Sequence, residues 1–354
     1  NGQVTGTAML DGVTLPEDGA YVNILKVMNT NSTVTFTVAE GYQVAPHAIE
    51  GGVMYRLFKT PTYTSLSATV TEAANWSALT WKDGETVVAN PIWEVVTAVT
   101  LTAEANVAVT VDVSLAAVTA LTVNGDMSLV GGDTLKLAAA TVSVNNTGAG
   151  LTLNNAYAAN KAITFNGTGT VTWATPGTHS GVITTAAGVT LKTTAETTLS
   201  SADNTLNGPL TVASGTLTLA ANDCRLKGNV LVESGATLIT TSRDTINYNG
   251  TQTITINGTV LVGAKWTIFN TNTIVLGAGA VLDTYNNYEK PLDFFRANCP
   301  ISVTGAGAVI RAVMFDHNGD TTHSAKITFA LSRAAAYFSI RFYKKLLSSY
   351  LHQQ

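Results

Sequence analysis

The chain has 354 residues, of which 12% are charged and 45% hydrophobic, and it carries a formal net charge of −4. No cluster of Lys or Arg falls in its middle, so it lacks the basic footprint that nucleic acid requires. No uninterrupted apolar run approaches the ~18 residues of a spanning helix, so contact with a membrane is expected only through an anchor not present in this chain.

Threonine is roughly one residue in six, against a background of 30 glycines. β-Branched side chains suit a pleated surface, and Asn and Gly tolerate the turns between strands. The expectation is an all-β chain. Residues 1–90 are richer in prolines, aromatics and charges than the repeats after them and read as a β-rich N-terminal cap or small domain, with Val34–Val38 alternating as a half-buried strand does. Such a segment suits the first rung of a solenoid, whose open edge otherwise invites aggregation.

From about Ile92 the short alternating runs 99–103, 107–113 and 121–125 mark the first rungs. Glycine then recurs at Gly125, Gly167, Gly188, Gly208, Gly228, Gly258, Gly279 and Gly305. Up to Gly228 the step is about 20 to 21 residues, or twice that where Asn146 replaces the glycine, and a period of this size marks a stacked solenoid. A strand such as Leu210–Val212 buries its apolar face only by stacking on its neighbours. Residues 91–331 therefore predict a right-handed, single-stranded parallel β-helix with rungs of about 20 residues, roughly ten turns in all. Residues 332–354 differ again: Tyr337, Ile340, Lys344, Leu347 and Tyr350 fall at three- and four-residue steps and predict a short C-terminal helix or tail.

The run Ala202-Asp-Asn-Thr-Leu-Asn-Gly-Pro-Leu-Thr-Val-Ala-Ser-Gly-Thr-Leu-Thr-Leu-Ala220 resembles the strand repeat in passenger regions of bacterial autotransporters and related secreted β-helix proteins. Residues 222–240 match more loosely, ending Glu233-Ser-Gly-Ala-Thr-Leu238. The resemblance implies a right-handed parallel β-helix that is secreted or displayed at a bacterial cell surface. It marks a scaffold and transfers no catalytic residue. The outer-membrane barrel of a complete autotransporter is missing from this sequence.

Asp203, Asp223 and Asp244 recur at steps of 20 and 21 and would stack on one corner of successive rungs. Such a ladder of carboxylates is a candidate for calcium or for a basic sugar; the competing account is that each Asp caps its own turn. With Arg225 and Lys227, Asp223 and Asp244 form the one constellation in the shaft that glycoside cleavage or elimination from a uronate could use. The adjacent Asp pair, Gly-His-Gly and Arg-Ile-Lys runs shared by pectin-hydrolysing β-helix enzymes are absent. Asp316, Asn318 and Asp320 alternate like the first ligands of a calcium loop, but glycine stands fourth rather than sixth and no Glu closes the run, so a polar hairpin turn competes. Calcium is the one cofactor in view; otherwise none is expected. Cys224 and Cys299 lie in different rungs, which leaves one disulfide or two unpaired thiols open.

Insertions in a solenoid bulge outward and carry binding surfaces. The segment 284–298 concentrates aromatics, and Tyr285, Tyr288, Phe294 and Phe295 are the candidates for stacking on a sugar face; a plug over the insertion is the competing account. An extracellular scaffold that adheres to a glycan or host surface protein is the expected function, a β-helix lyase or hydrolase is the alternative, and ice binding comes third. Thr168 and Thr170 follow Gly167 directly, whereas Thr216 and Thr218 lie eight and ten residues after Gly208, so the spacing predicts no threonine array in register.

Overall fold

The computed structural model describes residues 5–9, 14–28, 33–49, 51–132, 136–220, 224–241, 245–247, 251–262, 266–269, 272–283, 292–295, 301–311, 314–316 and 329–331. The chain is all-β, with 54% of residues in strands and parallel sheets stacked as a β-solenoid of about 8 turns and ~21-residue rungs. Among the described residues the only helical turn is the 3-10 segment Trp76–Ala78. The predicted C-terminal helix, 332–354, lies outside the described residues. The chain divides into two compact units, Asn1–Ala158 and Ala159–Gln354.

Unit one opens with a three-stranded antiparallel sheet in which Gly52–Lys59 lies between Tyr21–Val27 and Tyr42–Ile49. A parallel pair, Thr5–Met9 with Thr33–Thr37, stands beside it, and the Phe36 and Tyr55 rings meet at 5.2 Å. The parallel ladder begins at Ser65–Val70, which pairs with Ala98–Ala103, then Ala120–Asn124, then Thr141–Asn145. A second stack runs from Ala74–Asn75 through Val107–Val111 and Met127–Gly131 to Leu151–Asn154. Alternation explains the burial. Leu66, Val99, Leu121 and Val142 form one buried column, and Ala68, Leu101, Val123 and Val144 form the next, while the residues between them face outward. Trp76, Trp81 and Trp93 close this core, with ring centroids 4.9 to 5.8 Å apart and the Trp81 indole N–H donating to the Trp76 carbonyl.

In unit two each complete turn gives one strand to each of three stacks. The third turn, for example, supplies Thr205–Leu206, Leu210–Val212 and Thr216–Leu219, which pair in order with Arg225–Leu226, Val230–Val232 and Thr237–Thr240 of the next. Leu191, Leu210, Val230, Ile254, Ile274 and Ile301 make one inward column, all but solvent-free. Burying such a side chain is worth about 1.5–3 kcal/mol, more than the ~1 kcal/mol net of a ladder hydrogen bond. The aliphatic columns therefore fix the register, and the hydrogen bonds keep the backbone from being orphaned.

The rungs are not all of one length. The step is 20 from Leu210 to Val230 but 24 from Val230 to Ile254 and 27 from Ile274 to Ile301. The glycine spacing itself has a clear cause. Asn207 donates its amide to the Thr185 carbonyl at 2.7 Å, and the Gly208 N–H donates to the Thr185 hydroxyl at 3.1 Å, so this corner is tied to the turn before it. A Cβ on Gly208 would lie 1.9 Å from the Val189 carbonyl oxygen, and one on Gly228 would lie 2.2 Å from that of Gly208.

Candidate functional site

Of the expected acidic ladder, Asp203 is described; Asp223 and Asp244 lie outside the described residues. Asp203 is exposed and takes a left-handed backbone conformation, φ 68°, at the turn into Thr205–Leu206. Its neighbour Asn204, 1% exposed, makes the contact between turns: its side-chain oxygen accepts from the Ile183 N–H at 2.7 Å and its amide donates to the Ser201 carbonyl at 2.8 Å. The same device returns at Asn229, whose side-chain oxygen accepts from the Thr253 N–H, and at Asn272, which accepts from the Gln252 N–H. At Asn204 one side chain both donates and accepts without bringing charge into the stack.

Arg225 is exposed and pairs in register with Thr205, and Lys227 is half-buried, its N–H donating to the Leu206 carbonyl at 2.8 Å. Cys224, directly before the strand Arg225–Leu226, is a buried free thiol whose pKa burial pushes up to about 12. Cys299, Tyr285 and Tyr288 lie outside the described residues. Phe294 and Phe295 belong to the strand Leu292–Phe295, where Phe294 pairs with Ile268 and with Asp316, in the register column that contains Leu206 and Leu226. Asp316 ends the strand Met314–Asp316, while Asn318 and Asp320 lie outside the described residues. Among the described residues, no group of three or more His, Cys, Asp or Glu is placed to hold a metal ion.

The outward columns are the feature that residue spacing concealed. In unit one, Ser67, Thr100, Thr122 and Ser143 stand in register on successive strands. Beside them run Thr69, Thr102, Asn124 and Asn145, in which the Asn145 amide donates to the Asn124 side-chain oxygen at 3.0 Å and the Asn124 amide to the Thr102 hydroxyl at 3.5 Å. In unit two, Thr164, Thr184 and Thr205 share one column, and Thr216, Thr237 and Thr259 share another. The Thr-x-Thr pairs form no continuous array, as expected: Thr172 pairs with Lys192, Thr205 with Arg225 and Thr218 with Ile239. Thr170 and Thr216 do belong to different stacks, but each stack keeps its own column: Thr170, for instance, pairs with Thr190. Counting from glycine mixed the stacks; alternate residues followed from strand to paired strand would have separated them.

Stacked turns of short parallel strands with aliphatic columns inside define a parallel β-solenoid repeat protein. No protein family, curated protein or solved structure matches the chain.

Proposed function

We propose that the chain is a secreted or bacterial surface-displayed β-helix of autotransporter-passenger type, and that it adheres to a glycan or host surface protein. The observation that supports this is the outward ladder of hydroxyls and amides on unit one, Ser67 to Ser143 and Thr69 to Asn145. Strands repeat every ~4.8 Å, so the ladder offers a row of neutral donors and acceptors to a partner that is itself a row of hydroxyls. Tyr285, Tyr288 and Phe295 supply a second, aromatic means of holding a sugar ring.

The test is binding of the full chain to a panel of neutral and acidic glycans and to host surface proteins. Thr100→Val with Thr122→Val, and separately Tyr285→Ala with Tyr288→Ala, are expected to weaken it about tenfold, the equivalent of ~1.4 kcal/mol. An unmodified chain that binds nothing in the panel would sink the reading. Release of reducing ends or unsaturated products, lost in Asp223→Ala, would replace it with an enzyme that uses Arg225, Lys227 and Asp244. Thermal hysteresis that disappears in the paired valine variant would replace it with ice binding.

A further inference from the structure

Three ionisable side chains meet on one face of the antiparallel sheet in unit one. His47 and Arg56 come from adjacent strands, His47 opposite Met54 and so two residues from Arg56 on the same face. Glu94 reaches them from the segment between Thr86–Val88 and Ala98–Ala103, next to Trp93 of the tryptophan cluster. All three are withdrawn from solvent: side-chain exposure is 20% for His47, 17% for Arg56 and 9% for Glu94. Tyr21 from the edge strand covers Arg56, with the guanidinium carbon 4.1 Å from the ring centroid; Lys26 of that strand, exposed, stands in the row of Met54 and His47; and Tyr63 accepts a hydrogen bond from the Ile92 N–H on the Glu94 segment.

The distances place a contradiction on one atom. His47 Nδ1 lies 2.8 Å from Glu94 Oε1 and 3.0 Å from Arg56 Nη1, while Arg56 Nη1 also lies 3.0 Å from Glu94 Oε1. A guanidinium only donates and an ionised carboxylate only accepts, so Nδ1 satisfies Glu94 when it carries a proton and Arg56 when it does not. Glu94 is the fixed partner. Burial raises its pKa, but the hydrogen bond with His47, one to its own backbone, and the charges of His47 and Arg56 outweigh that and hold it below the ordinary carboxylate range. Tyr63, raised by burial above all and then by the Glu94 charge, remains a neutral phenol beside it.

We propose that His47 is a proton switch that decides which cation holds Glu94. With Nδ1 bare, Arg56 donates to both His47 and Glu94 and ties the antiparallel sheet to the 90–97 segment. With Nδ1 protonated, His47 donates to Glu94 itself, its new charge faces Arg56, and Arg56 gives up the tie and keeps only Tyr21. The carboxylate is held in both states; what changes is whether the middle strand or the outer strand holds it.

The test compares the stability cost of Arg56→Met in the full chain at about pH 8 and about pH 5, the interval in which histidine side chains change charge. The cost, read as a fold-change in the unfolding equilibrium, is expected to be severalfold larger at the higher pH. In a His47→Gln background it is expected to be the same at both. An equal cost at both pH values in the wild-type background, or a pH dependence that survives His47→Gln, overturns the proposal. Nitrogen NMR of the unmodified chain checks the same point where a variant fails to fold: at pH 8 the His47 ring is expected with its proton on Nε2, and a proton on Nδ1 at that pH overturns the switch.

Discussion

In unit one the buried face closes on Trp76, Trp81 and Trp93, three large side chains that occur once each and contact one another. In unit two it closes on Leu, Val and Ile repeated turn after turn, with the side-chain oxygens of Asn204, Asn229 and Asn272 each accepting from a backbone N–H of an adjoining turn. The first arrangement adds to its aliphatic columns a set of contacts that nothing else duplicates. The second spreads its stability over many small equivalent contacts, each between neighbouring turns only, so that a local loss acts through the interface between two turns.

Substitution can break that contrast at its strongest points. Gly208→Val places a branched side chain where a first carbon already lies 1.9 Å from the Val189 carbonyl, and the expected cost exceeds about 4 kcal/mol. Hydrogen exchange should show the loss centred on the turns that meet at Gly208; uniform loss across unit two would mean that the turns unfold as one. Trp76→Ala removes the most enclosed member of the aromatic cluster, at an expected cost of about 3–5 kcal/mol. Here all of the described core of unit one is expected to lose protection together, and a loss confined to 74–83 would contradict that expectation.

The smallest effect sharpens the comparison from inside unit two. His179 stands at 2% exposure against Trp173, in the column that other turns fill with Leu199 and Leu219, and burial above all, partly offset by the Lys161 backbone, holds its pKa below the ordinary histidine value. The unfolded chain then takes up the proton first, so stability is whole above the ordinary value near 6.5 and declines as pH falls below it, by at most about 1.4 kcal/mol per pH unit. Denaturant unfolding of His179→Leu should lack this slope. A slope equal to that of the unmodified chain would assign the acid sensitivity elsewhere.

The sequence showed the solenoid because glycine is forced wherever one turn crowds the next: Gly208 and Gly228 recur for the same steric reason. It did not show how many strands a turn contains, since the same spacing serves two stacks in unit one and three in unit two. The corner role was read onto Asp203 although its neighbour Asn204 performs it, because a count of carboxylates attends to charge and the corner needs a neutral group that donates and accepts. The His47, Arg56 and Glu94 cluster left no local trace. Its members are separated by 9 and 38 positions, and the antiparallel pairing and the segment before Ala98 are what join them.

The pairing of Leu206 with Leu226, twenty residues on, has a hereditary consequence. Removing the stretch from one to the other would present the later strands to the earlier ones with every inward position still inward. A gene encoding such turns can therefore lengthen or shorten by unequal recombination in whole modules, and the reach of the encoded shaft becomes a trait that selection can adjust without inventing a new core.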